Sequence, residues 1–292
     1  MYQRCISGLL RCLAVLPWWC LRGLGYGLGW LLYAFKGREV QNVLANVAIT
    51  YPALDAHQRS VFTRQALYHS AITYLEMPRI WLSSALLSDR IDDQGLAQVM
   101  SDLLAQGRGL ILAMPHLGNW EMVSSAVDPR VPITGLYRPP RQAWLEPMVL
   151  AGRNKARIRT VSITKSGLKA LHSALKAQEV VAILPDQVPK SASSAAVSAP
   201  FFGRDALTMV LLNRLARRHQ SPVLWVWAKR LPTGRYQIRY SIGDEQLRAA
   251  DPLLAATALN QAIEACVADC PTQYQWAYRR FKPVNPEQDN PY

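Results

Sequence analysis

From residue 92 to residue 270, short apolar runs alternate with stretches whose apolar side chains recur every three or four positions. A run of four to seven residues bounded by Gly or Pro has the length of a buried strand, whereas the 3.6-residue recurrence marks one face of a helix. Strands are predicted at 110–113, 131–137, 158–161, 180–184, 223–229 and 236–240. Helices are predicted at 92–106, 119–127, 144–155, 168–177, 206–218 and 253–270. This alternation implies an α/β fold, a mixed central sheet flanked by helices. The Ser/Ala-rich residues 190–199 are expected to form a mobile loop.

Ahead of this region, residues 9–35 carry two charges, Arg11 and Arg22, beside Trp18, Trp19, Trp30 and Tyr33. A spanning helix needs about 20 apolar residues, so this segment suffices only if Arg22 snorkels. Pro17 and the glycines Gly23, Gly25, Gly27 and Gly29 weaken helicity, each Gly by roughly 1 kcal/mol, while the aromatics suit a membrane interface. An N-terminal apolar membrane-anchor helix over residues 1–37 is expected, either spanning or lying in plane. No Ala-x-Ala site follows it, which favours retention over cleavage. The small-xxx-small pairs fall on opposing faces and argue against dimerisation through them. Residues 38–90 read as a helical lead-in broken at Tyr51-Pro52, with Asn42 and Asn46 as exposed polar side chains. Residues 91–282 form the α/β domain and 283–292 a tail.

A net charge of +13 calls for an anionic partner. Zinc-type Cys/His spacing, a Walker loop and basic stretches interleaved with stacking aromatics are absent, so nucleic acid ranks last. Five cysteines make an odd count. Cys266 and Cys270, spaced i, i+4, fit two packed thiols, and the chain reads as facing a reducing compartment.

Chemistry concentrates at Pro115-His116-Leu117-Gly118-Asn119-Trp120-Glu121, directly after the first apolar strand of the alternating region. On one continuous helix His116 and Glu121 would point about 140° apart. With Asn119 as N-cap and Glu121 in the first turn, the carboxylate can reach back to the imidazole. A His held by a carboxylate is a general base, and helix-start amides could stabilise an oxyanion. Further along, Arg138 follows a strand, and Arg141, Arg153, Lys155, Arg157 and Arg159 follow within a short span. Guanidinium forks suit phosphate. Asp186 ends another apolar strand in Leu184-Pro185-Asp186-Gln187.

The His-X4-Glu spacing between strand and helix resembles the His-X4-Asp/Glu motif of the glycerolipid acyltransferase superfamily. His116-Leu117-Gly118-Asn119-Trp120-Glu121 looks like the branch that adds secondary acyl chains to lipid A. Tyr137-Arg138-Pro139, Gly152-Arg153, Pro185-Asp186 and Pro200-Phe201-Phe202-Gly203 match that branch in order. The tail Gln273-Tyr274-Gln275-Trp276-Ala277-Tyr278-Arg279-Arg280-Phe281-Lys282 is the least generic match; alone it reads as a basic amphipathic surface helix. The superfamily's Glu-Gly-Thr-Arg phosphate motif is absent, which favours the lipid A branch.

The resemblance implies an O-acyltransferase in which His116, oriented by Glu121, deprotonates a hydroxyl. Arg153 with helix-start amides would stabilise the oxyanion, and Asp186 would orient Arg153 or the acceptor. Asn119, Arg138, Arg141, Arg159, Phe201 and Phe202 would bind substrate. It further implies acyl-carrier protein as donor and partner, an anionic lipid A precursor as acceptor, no metal or dissociable cofactor, and a place at the inner membrane facing the cytoplasm. Acylation of another glycolipid or aminolipid, thioester hydrolysis, and non-catalytic binding to anionic membranes are the alternatives. Chain length, the position acylated and oligomeric state stay open.

Overall fold

The structure is a computed structural model, described here for residues 2–82, 87–140, 142–189, 195–283 and 290–292. Its first helices are α1 (Tyr2–Val15), α2 (Trp18–Phe35), α3 (Arg38–Thr50) and α4 (Ala56–Leu82). Pro17, which has no N–H to donate, separates α1 from α2. The spanning alternative for residues 1–37 is overturned: among the described residues no helix is long and apolar enough to cross a membrane. Instead α2 lies along α4. Gly25 sits against Ile72 and Gly29 against the backbone of Tyr68, where a Cβ would come within 2.9 Å and 2.8 Å. Trp19, Trp30 and Phe35 on its other side stay exposed.

The main sheet runs β1 (Ile91–Asp92), β9 (Tyr236–Ile242), β8 (Val223–Arg230), β2 (Leu110–Ala113), β5 (Val180–Ile183), β3 (Ile133–Tyr137) and β4 (Ile158–Ser162). Only the β8–β9 contact is antiparallel, so the sheet is mixed as expected. Central β2 and β5 are buried at every residue, the pattern of parallel strands covered on both faces. Side chains alternate between two cores. Ile111, Ala113, Val181 and Ile183 pack with α3, α7 (Lys165–Lys176), α8 (Leu211–His219) and α9 (Pro252–Asp269). Leu110, Leu112, Val180 and Ala182 face the other way, toward Trp18, Leu21 and α5 (Leu96–Leu104).

Three expectations change. Residues 206–218 are not one helix: β6 (Ala196–Phe201) and β7 (Arg204–Met209) form an antiparallel hairpin before α8. This hairpin takes up residues 196–199 of the expected loop, whose residues 190–194 lie outside the described set. The Arg279-Arg280 tail is not a surface helix: residues 274–282 are not helical, and Tyr274, Trp276, Arg280 and Phe281 are buried. Buried Arg280 donates to Leu207 O at 2.6 Å and to Thr208 Oγ1 and Asn260 Oδ1 at 3.1 Å. Asn42 and Asn46 are buried rather than exposed, and their amides donate to the carbonyls of Trp276, Ala277 and Tyr278. They strap the tail onto α3.

Candidate active site

Strand register assembles the site. In the parallel pair β2–β5, Ala113 stands opposite Ile183. His116 and Asp186 each follow three residues later, behind Met114-Pro115 and Leu184-Pro185. They leave adjacent strands at the same height, the carboxyl edge where α/β sheets place their sites. His116 Nδ1 lies 2.7 Å from Asp186 Oδ1, and the His116 backbone N–H donates to Oδ2 at 2.9 Å. Asp186 is buried, which by itself would raise its pKa. The neighbouring His116, by charge and by these hydrogen bonds, holds it below the ordinary carboxylate value. An ionised Asp186 only accepts, so Nδ1 carries a proton, and in the neutral imidazole Nε2 is the nitrogen with the lone pair. Gln187 Nε2 lies 3.3 Å from that Nε2 and the same distance from Gln275 Oε1, and Trp120 stands edge-on to the imidazole.

The loop bearing His116 is wedged between β8 and the tail. Leu117 bridges Tyr274, Gly118 bridges Ala228, and Gln275 N donates to His116 O at 3.0 Å. Only glycine serves at Gly118, where φ is +62° and a Cβ would stand 1.8 Å from Ala228 O. Beneath it, Arg230 and Glu76 form a buried ion pair at 2.8 Å that Tyr236 joins through its hydroxyl. Thr73 Oγ1, which accepts from Arg230, contacts Gly118 O at 3.0 Å.

Glu121 and Asp186 exchange the roles expected of them. The turn after Asn119 is a six-residue 3-10 segment (Trp120–Ser125), not an α-helix, so Glu121 does not fold back onto His116. It is buried and accepts from Trp81 Nε1 at 3.0 Å and from Arg153 through Nε at 3.2 Å and through Nη2. Burial pushes the Arg153 pKa down, but the Glu121 carboxylate more than offsets this and holds the guanidinium charged. Gly152 permits the arrangement, since a Cβ there would lie 2.3 Å from Trp81 Cβ where α6 (Glu146–Arg153) crosses α4. The 3-10 turn also removes the α-helical start proposed for the oxyanion.

The remaining expected residues disperse. Asn119 makes no cap; it is fully buried and donates from Nδ2 to Glu76 at 2.9 Å, so it holds the loop rather than substrate. Arg138 is exposed just past β3, at the same sheet edge as His116. Arg159, second residue of edge strand β4, stands opposite Thr134, roughly 10 Å short of that edge at 3.3 Å per residue. Phe201 is fully buried and Phe202 packs on Trp276, so these rings fill the core beside the tail. Arg141 lies outside the described residues. Sequence reasoning missed Gln187 and Gln275 as partners around His116, and the Glu76–Arg230 pair, although Gln187 directly follows Asp186. Among the described residues no group of three or more His, Cys, Asp or Glu could hold a metal ion.

A carboxylate-held histidine whose Nε2 meets the Gln187 amide, at the carboxyl edge of a mixed α/β sheet, is an arrangement that can serve as a general base. The family of bacterial lipid A biosynthesis acyltransferases matches residues 5–283, nearly the whole chain. The chain belongs to that family and is an acyltransferase. It is 27% identical over 280 residues to the lipid A biosynthesis lauroyltransferase of Escherichia coli (strain K12), covering 94% of this chain and 89% of that one. It is 24% identical to a lipid A biosynthesis acyltransferase of Haemophilus influenzae, over 96% of this chain and 90% of the relative. Identity is also 24% to the lipid A biosynthesis palmitoleoyltransferase of Escherichia coli (strain K12), over 94% and 89%.

Proposed function

We propose that this acyltransferase moves a fatty acyl chain from acyl-carrier protein to the hydroxyl of a hydroxyacyl chain already on a lipid A precursor. The observation that carries the reading is the His116 imidazole with Nδ1 committed to Asp186 and Nε2 on the far side, in a 3.3 Å contact with the Gln187 amide that a substrate hydroxyl would replace. His116 Nε2 takes the hydroxyl proton as the oxygen attacks the thioester carbon. Asp186 stabilises the imidazolium so formed. The new C–O bond forms, the C–S bond breaks, and the imidazolium returns its proton to the departing thiolate. No covalent enzyme intermediate is needed. Arg153, held by Glu121 through Nε and Nη2, keeps Nη1 for the developing oxyanion. Arg138 is a candidate contact for acceptor phosphate at the same edge.

The acidic carrier protein suits a chain of net charge +13, which would speed encounter more than it sets affinity. The exposed Trp19, Leu24, Trp30 and Phe35 of α2 support an in-plane anchor: apolar groups on an otherwise folded helix bind a lipid surface. A donor and a headgroup chemistry that are both cytosolic put the domain on the cytoplasmic face of the inner membrane.

The test is mass spectrometry of a lipid A precursor incubated with the detergent-purified protein and a mixed pool of acyl-carrier-protein thioesters, with His116→Ala in parallel. A single acyl mass gain, absent from the variant, is expected and names the chain length. Free fatty acid without that gain would make the protein a thioesterase, and no turnover would leave only membrane binding.

A further inference from the structure

A cavity of about 780 Å³ lies not at His116 but beside it, between α2, α4 and the β8–β9 turn. Its walls are cationic. Arg22 from α2, Arg64 from α4 and Lys229 and Arg230 from β8 all line it. Arg230 is spent on Glu76 and Lys229 on Asp269, at 2.8 and 2.9 Å. Arg22 and Arg64 pair with no carboxylate among the described residues; Arg64 rests over the ring of Tyr33. Two guanidinium groups without a carboxylate partner therefore line one open cavity, and forked donors of this kind suit phosphate oxygens.

Two further observations say where the phosphate comes from. Tyr26 and Trp30 line the same cavity and belong to the exposed aromatic side of α2, so its mouth lies where that helix would meet a lipid surface. The cavity also neighbours the cleft at the reacting histidine. Gln273 is shared with the narrow cleft lined by Thr73, Tyr74, His116 and Trp120. On α4 the cavity occupies residues 61–69 and the cleft 70–74, a centre-to-centre step of roughly 10 Å at 1.5 Å per residue.

We infer that this cavity receives the phosphorylated sugar headgroup of the acceptor lipid, held by Arg22 and Arg64, while an acyl chain of that lipid reaches along α4 to His116. The assignment rests on the acyltransfer reading for the identity of the lipid. It adds an anchor for the acceptor besides the Arg138 contact at the sheet edge.

Binding of the full-length protein is measured with no donor present, so that its outcome does not depend on turnover. The probes are phosphatidylcholine vesicles carrying a lipid A precursor, and the same vesicles after phosphatase treatment. Arg22→Gln and Arg64→Gln should each weaken binding to the phosphorylated lipid about tenfold and leave binding to the treated lipid unchanged. Arg217→Gln, on α8 away from the cavity wall, should change neither. Equal loss from Arg217→Gln would mean bulk charge alone and would overturn the site, as would equal loss on both lipids. Displacement of the lipid by low-millimolar inorganic phosphate, but not by chloride, would make it a free-phosphate site and overturn the headgroup assignment. In turnover, the acceptor KM of Arg64→Gln should rise about tenfold with the thioester KM and kcat unchanged. A rise in the thioester KM instead would give the cavity to the donor and overturn the inference.

Discussion

Two carboxylate–cation pairs start from one short motif, at His116 and Glu121, and differ in what they can do. Asp186 holds His116, and Glu121 holds Arg153. Both carboxylates are buried and both pairs are well formed. The difference is in the cation. Imidazole gains and loses a proton near neutral pH and has a second nitrogen to do it with, whereas guanidinium stays charged throughout. The first pair can move a proton; the second can only hold a fixed charge in place. Glu121, the residue that spacing most strongly joined to His116, therefore belongs to the scaffold of the site, with Trp81 and α6.

The sharpest way to break this distinction is to remove the base and keep the hydrogen bond. His116→Gln retains a donor toward Asp186 and has no titrating nitrogen, so turnover should fall about 10⁴-fold while the thermal transition stays within a few degrees. A large loss of Tm alongside would show the pair to be structural, and steady-state assay with calorimetry reads both quantities. Glu121→Gln should do the reverse, because it leaves the Arg153 charge in a poorly solvated place. We expect about 3 kcal/mol of lost stability in denaturant unfolding. Arg153→Lys keeps the charge and loses the fork, and should cost less, about 1 kcal/mol.

The effect smallest at neutral pH tests the support beneath the loop. Burial first, then the charges of Arg230 and Arg22, lower the His69 pKa from 6.5 to about 3. The folded protein keeps His69 neutral while the unfolded chain protonates it below pH 6.5. Stability from this source is complete above pH 6.5 and is lost as pH falls toward 3, by about 1.4 kcal/mol per pH unit. His69→Gln should flatten that slope in unfolding curves at pH 6.5 to 4.5 and leave stability at pH 8 little changed; an unaltered slope would exclude His69 as its origin.

Much of the sheet was legible because β2, β5 and β8 are apolar runs with clear ends. The His116–Asp186 pair was not read from the sequence, although its signal is there in a form that periodicity does not reveal. Met114-Pro115-His116 and Leu184-Pro185-Asp186 are matched exits from two strands, and once those strands are neighbours in register the pairing follows. Sequence spacing pointed to Glu121 because it is near in the chain, whereas the partner is 70 residues away and near only in the sheet. The tail misled for a related reason. Arg279, Arg280 and Lys282 look solvent-facing by composition, yet Arg280 finds Thr208, Asn260 and a carbonyl inside the fold. Asn42 and Asn46 were misread with it, since their partners are the tail's carbonyls. The 206–218 helix failed at its start because residues 204–209 alternate sides against β6 and take up strand pairing before the helical pattern begins.

The most direct test is acyl transfer by Asp186→Asn and Glu121→Gln, measured side by side on folded protein at a temperature where both variants hold. Loss of the Asp186 charge should cut kcat by about 10³-fold or more, through the wrong tautomer and an unsupported imidazolium. Glu121→Gln should stay within about tenfold of the parent once corrected for the folded fraction. The opposite order, with Glu121→Gln inactive and Asp186→Asn near normal, would return the role of His116's partner to Glu121 and contradict the account.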